Sequence, residues 1–191
     1  MIAVTDEIYE HILYDNRAHV SIGSLPGMEE RTISIGSFSK TYSVTGWRVG
    51  YTLACRALSE RIRKIHDFLT VGAPAPLQAA CTAALELPDT YYRELATLYD
   101  RKRQILFKGL TDAGFRCRPP EGAYYIFTDI SDFGMSDTEF ARALVTKVGL
   151  AAVPGSSFYH DGGAGKLRFT FSKKDETLED ACRRIREFEA P

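Results

Sequence analysis

The chain of 191 residues carries 24 basic and 25 acidic side chains, and 45% of its residues are hydrophobic. These proportions exclude a disordered, collagen-like or coiled-coil chain. The near-balance of charge gives neither nucleic acid nor an anionic membrane any support as a partner. No stretch approaches the ~20 apolar residues of a membrane helix, and MIAVTDEIYE at the start lacks the basic region and apolar run of a signal peptide. Cys55, Cys81, Cys117 and Cys182 form no CxxC pair and have no clustered histidine. Free thiols, as in a cytoplasmic protein, are therefore expected rather than a zinc site or a disulfide.

In chain order, Ile2, Ala3 and Val4 read as a short buried parallel strand whose carboxyl end falls at Asp6. Turn signals follow at Asp15-Asn16 and Pro26-Gly27. The runs 32–36 and 49–53 read as the second and third strands. Leu58, Ile62, Ile65 and Leu69 recur at helical spacing. Leu77 to Leu85 marks another helix, and Tyr92 to Leu110 a long one that stops before Gly114. The run 123–128 predicts a strand. Ser136 and Glu139 predict a capping box that opens a helix ending at Gly149. Strands are expected at 150–153 and 167–171, with a last helix carrying Leu178, Ala181, Cys182, Ile185 and Phe188. Strands and helices mix throughout, so the class is α/β or α+β. The long helix over 89–112 reads as a connection between two lobes.

The segment from Ser34 to Tyr51 is the densest in reactive side chains. Lys40 lies just past a strand end, with Ser37 three residues before it and Arg48 eight after. Strand carboxyl ends are where open α/β sheets place ligands. Hydroxyls, backbone N–H groups and an arginine fork suit a phosphate, and a lysine beside them can condense with an aldehyde. An ordinary strand–loop–strand with a solvated lysine reads equally well from composition alone.

The strings Ser37-Phe-Ser-Lys40 and Thr45-Gly-Trp-Arg-Val-Gly-Tyr51 resemble the lysine segment of the class I/II aminotransferases, fold-type I pyridoxal-phosphate enzymes. So does Thr5-Asp-Glu-Ile-Tyr-Glu10. The stretch 26–36 looks like the branch containing kynurenine, glutamine and methionine aminotransferases, and Lys166-Leu-Arg-Phe-Thr-Phe-Ser172 resembles the family's carboxylate-binding strand. The resemblance implies a PLP-dependent transferase fold of α/β class. It covers the C-terminal part of the large domain, with a partial, mostly parallel sheet over residues 1–88. A connecting helix over 89–112 and a small α/β domain over 113–191 complete it.

By the same resemblance, Lys40 is the Schiff-base lysine for pyridoxal 5′-phosphate and the base that moves the substrate α-proton, for which it must be neutral. Asp6 pairs with the protonated pyridine nitrogen and keeps the ring an electron sink. Tyr9 hydrogen-bonds the phenolic oxygen, Ser37 and Arg48 hold the phosphate, and Arg168 clamps the substrate α-carboxylate. Tyr124, Tyr125 and Phe158 are candidates for a wall around the substrate side chain. The blander roles are a turn cap for Asp6, a core tyrosine for Tyr9, a loop hydroxyl for Ser37, a surface cation for Arg48 and a solvent-facing position in an alternating strand for Arg168.

The family's glycine-rich phosphate turn, ring-stacking aromatic and asparagine near the phenolic oxygen precede the aspartate strand and find no match here. The expectation is a truncated C-terminal part with an exposed sheet edge, completed by a homodimer partner or a missing N-terminal half. Ala73-Pro74 resembles the stretch that reaches the neighbouring subunit. Substrates are expected to be an amino acid and a 2-oxo acid, with no metal, nucleic acid or membrane. Ser37-x-x-Lys40 also fits the penicillin-binding signature, but Ser-Asp-Asn and Lys-Thr-Gly are absent. An inactive remnant and another fold-type I enzyme such as a lyase stay open.

Overall fold

The computed structural model describes residues 1–188; residues 189–191, included above in the small domain and in the truncated C-terminal part, lie outside the described residues. Two compact units divide the chain, Met1–Ala96 and Thr97–Pro191.

In the first unit, β1 (Ala3–Asp6) lies parallel to β2 (Thr32–Ser37), from Ala3↔Thr32 to Asp6↔Ile35. The single-turn helix α1 (Phe38–Thr41) follows β2 directly. β3 (Gly50–Ala54) returns antiparallel to β2, from Ile33↔Ala54 to Ser37↔Gly50. The sheet order is β1-β2-β3, so the expected mostly parallel sheet is mixed: β1 and β2 pair in parallel, and β2 and β3 antiparallel. The Asp15-Asn16 turn is observed, with both residues left-handed (φ 57° and 56°). Helices α2 (Arg56–Leu69) and α3 (Ala75–Leu85) match the sequence periodicity, and Pro76 sits in the first turn of α3, where its missing N–H is harmless.

The central strand is unusual. Its more buried face carries Thr32, Ser34 and Gly36, whereas Ile33 and Ile35 are only half-buried. On the apolar side of the α1 turn, Phe38, Val49 and Cys81 form a small core with Tyr42, Val44, Tyr51 and Leu77 packed against it.

Helix α4 (Asp89–Asp112) contains the boundary between the units. The second unit continues with β4 (Arg116–Cys117), β5 (Tyr125–Asp129), α5 (Asp137–Val148), β6 (Val153–Pro154), β7 (Lys166–Thr170) and α6 (Asp175–Arg186). Its sheet is antiparallel, in the order β4-β5-β7-β6. The strand expected at 123–128 begins only at Tyr125, because Ala123 takes a left-handed conformation (φ 58°). The one expected at 150–153 shrinks to Val153–Pro154, where proline ends the ladder. Alternation along β5 and β7 buries Ile126, Leu167 and Phe169 on one face. Phe115 meets Phe140 and Phe169 edge-on at 5.7 and 5.9 Å. The Ser136/Glu139 capping box is present, and Gly149 closes α5 with φ 69°.

Gly109 faces Cys182 so closely that a β-carbon there would overlap its sulfur. Alanine is the better helix former by about 1 kcal/mol, but overpacking costs about 1–3 kcal/mol. We expect Gly109→Ala to lower stability in urea unfolding. A stabilised variant would contradict this packing.

Candidate cofactor and substrate site

Parallel strands end on the same side of a sheet. The β1–β2 pairing therefore brings Asp6 to the sheet end where β2 runs through Ser37 into the Lys40 turn. One further backbone bond, from the Glu7 N–H to the Ile35 carbonyl at 2.8 Å, continues the ladder past Asp6.

Asp6 is exposed rather than buried, since β1 is a sheet edge. Its Oδ1 accepts the Ile8 N–H at 3.3 Å, which is the turn-cap role. Tyr9 is half-buried in the turn that follows, and its carbonyl accepts the Ile12 N–H at 2.9 Å.

Ser37 is the N-cap of α1. Its Oγ accepts the Ser39 N–H at 3.1 Å and lies within reach of the Ser39 hydroxyl (2.8 Å) and the Val49 carbonyl (3.2 Å). Lys40 is half-buried in that turn. Arg48 adopts a left-handed backbone (φ 55°), and its guanidinium donates to the Thr45 carbonyl at 2.9 Å while remaining exposed. Gly36 has a packing reason: the Tyr51 ring covers it, and the Tyr51 hydroxyl donates to Glu10 at 2.9 Å. Burial, together with that carboxylate, pushes the Tyr51 phenol up to about 12.

Sequence reasoning overlooked Glu7. Its Oε1 accepts from Thr5 (2.6 Å), Ser21 (3.0 Å) and Ser34 (3.1 Å), and its Oε2 lies 2.9 Å from His19 Nε2. This network accounts for the Ser34 hydroxyl on the buried face of β2, whereas the buried Thr32 hydroxyl has no hydrogen-bond partner among the described residues. The available signal was the alternation of Thr5, Asp6 and Glu7, which sends two adjacent carboxylates to opposite faces of the sheet. Burial raises the Glu7 pKa, but the bonds from His19, Thr5, Ser21 and Ser34 outweigh it and hold the carboxyl at about 2, below its ordinary 4.5.

A depressed folded-state pKa stabilises the fold above pH 4.5, and that contribution is lost as pH falls toward 2. Urea unfolding between about pH 2.5 and 6 should therefore show a stability slope in the wild type that flattens in Glu7→Gln. Parallel profiles would contradict this assignment.

Arg168 lies in the second unit, on the open face of β7. Phe127 and Val153 are its ladder partners. Its guanidinium carbon stands 4.1 Å from the ring centroids of both Tyr125 and Phe158. Among the described residues it has no carboxylate within salt-bridge distance. Two rings beside the guanidinium stabilise its charge without pairing its N–H donors with a carboxylate. Tyr125 and Phe158 thus flank the arginine. Tyr124 is buried and stacked on Tyr99 at 5.6 Å, and its ring also meets that of Tyr125 at 4.8 Å.

Two clefts in the first unit, of about 630 and 250 Å³, are lined by other residues. The Asp6–Lys40 region is an open sheet end. Its donor set suits pyridoxal phosphate: a lysine for the aldehyde, a carboxylate for the ring nitrogen, and a hydroxyl with a guanidinium for the phosphate. All four cysteines are free. Among the described residues there is no metal-binding cluster of His, Cys, Asp or Glu, and no helix is long and apolar enough to cross a membrane.

The family model for aminotransferase class I and II matches residues 1–185, and the chain belongs to that family. It is 38% identical over 186 residues to methionine aminotransferase of Escherichia coli, covering 96% of this chain and 48% of that protein. It is also 38% identical to the kynurenine–oxoglutarate transaminase of Dictyostelium discoideum, covering 93% and 46%. Among solved structures, N-succinyldiaminopimelate aminotransferase from Mycobacterium tuberculosis superposes with a TM-score of 0.93 at 36% identity, over 98% of this chain and 50% of that one. The PLP-dependent transferase fold is thus shared, and the chain spans about half the length of the relatives it matches.

Proposed function

We propose that this chain carries the lysine-bearing part of a pyridoxal-phosphate-dependent aminotransferase, which exchanges an amino group between an α-amino acid and a 2-oxo acid. In this reading residues 1–88 belong to the cofactor-binding domain, 89–112 to a connecting helix and 113–191 to the small domain. A cytoplasmic setting fits four free thiols. The observation that carries the reading is the parallel β1–β2 pair, which ends with a carboxylate on one strand and leads into a lysine turn on the other.

When bound, pyridoxal phosphate supplies an aldehyde that takes the amino group and a ring that accepts electron density from the α-carbon. Lys40 would be the residue that holds the cofactor through its aldehyde, and its amine, when neutral, would serve as the base for the substrate α-proton. Asp6 would hold a proton on the ring nitrogen, Tyr9 would donate to the phenolic oxygen, and Ser37 and Arg48 would hold the phosphate. Arg168 would orient substrate by its α-carboxylate, with the Tyr125 and Phe158 rings beside the guanidinium. Completion of the site by a second copy or by a further stretch of polypeptide is consistent with the unpaired outer edges of β1 and β3.

Purified protein mixed with pyridoxal phosphate and reduced with borohydride should carry a phosphopyridoxyl group on Lys40, and none in Lys40→Ala. Adduct confined to other lysines would overturn the reading. Arg168→Leu should weaken binding of a 2-oxo acid by about 1.5–3 kcal/mol in calorimetry of the cofactor-loaded protein. Unchanged affinity would exclude Arg168 as the carboxylate clamp.

A further inference from the structure

Lys40 sits on a helix of one turn, too short to be stable by itself. The turn ends in strain, because Ser43 takes a left-handed backbone (φ 56°) without being glycine. Local bonds hold its start: the Ser37 cap, the Phe38 N–H to the Val49 carbonyl (3.4 Å), and the Thr45 hydroxyl to the Ser39 carbonyl (3.1 Å). Its end is held from a distant part of the sequence. The Tyr91 hydroxyl, at the start of α4, donates to the Thr41 carbonyl at 2.8 Å. Carbonyls in a last helical turn lack intrahelical partners, and Thr41 is 3% exposed, so solvent has little access to it. Tyr92 shares a 2.7 Å hydrogen bond with Tyr42, the residue after the turn. Tyr42 in turn stacks between Phe38 and Tyr91, with centroids 5.8 and 5.6 Å away.

We propose that Tyr91 and Tyr92 are positioning residues for Lys40, clamping the C-terminal end of its turn and fixing the root of the lysine side chain. Neither phenol needs to touch substrate or cofactor. The inference rests on the reading of Lys40 as the cofactor lysine, but the clamp itself has a cofactor-independent consequence. A lysine side chain has four rotatable bonds, so its amine reaches one place reproducibly only if its root is rigid.

Tyr91→Phe keeps the ring stack and removes only the hydroxyl, and Tyr92→Phe does the same for its own bond. Without cofactor, amide hydrogen exchange over residues 38–43 should rise about five- to tenfold in either variant, with the far-ultraviolet circular dichroism unchanged. With pyridoxal phosphate, the visible circular dichroism of the lysine-bound cofactor should weaken severalfold, and borohydride-trapped label at Lys40 should form more slowly. Tyr99→Phe, whose hydroxyl meets Ser172 instead, should leave all three unchanged.

Unaltered exchange in folded Tyr91→Phe and Tyr92→Phe would overturn the clamp. Faster exchange with an unchanged cofactor spectrum would show a structural bond only and overturn the positioning role. Absence of label at Lys40 in the wild type would instead overturn the cofactor reading. The clamp would then stand or fall on exchange alone.

Discussion

The ladder from Ala3↔Thr32 to Asp6↔Ile35 runs in parallel, and the placement of Asp6 and the Lys40 turn at one sheet end depends on that direction. Antiparallel pairing of the same two strands would send Asp6 and Ser37 to opposite ends of the sheet. Pairing in parallel ends both strands on one side, so a carboxylate and a lysine come to share an edge although they are far apart in sequence. β3 then returns antiparallel, and its register puts Tyr51 opposite Gly36 and Gly50 opposite Ser37. Glycine is required at 36 because the Tyr51 ring lies over it.

Asp6 and Glu7 show how one strand end separates structural from chemical charge. Glu7 takes four hydrogen-bonding partners and holds the β1 end to the loop that contains His19 and Ser21. Asp6 makes one backbone turn bond and stays exposed, so one carboxylate anchors the strand end while its neighbour does not. A related division appears at Arg168. The Tyr125 and Phe158 rings both lie 4.1 Å from its guanidinium carbon, and no carboxylate among the described residues pairs with it. That arrangement stabilises a cation without neutralising it.

Much of this was legible in the sequence wherever the signal was local. Apolar spacing located α2, α3, α4 and α6, and Ser136 with Glu139 located the start of α5. The strings around Asp6, Lys40 and Arg168 pointed to the family that the comparison then established. What stayed illegible depends on contacts remote in sequence. Glu7 draws on hydroxyls up to 27 residues away. Tyr92 read as one more apolar position on a helix, yet its hydroxyl reaches Tyr42 fifty residues earlier. Strand direction was hidden as well, since apolar alternation in 49–53 is the same for a parallel and an antiparallel neighbour. Backbone conformation set the limits of β5, where left-handed Ala123 delayed a strand that residue type alone would have started sooner.

In the proposed function, Asp6 faces the ring nitrogen of a cofactor held by Lys40. The most direct measurement is nitrogen-15 magnetic resonance of the protein loaded with pyridoxal phosphate labelled at the pyridine nitrogen. A protonated pyridine nitrogen is expected in the wild type at neutral pH, and a resonance moved toward that of neutral pyridine in Asp6→Asn. Identical resonances in the two proteins, with the cofactor bound in both, would contradict it.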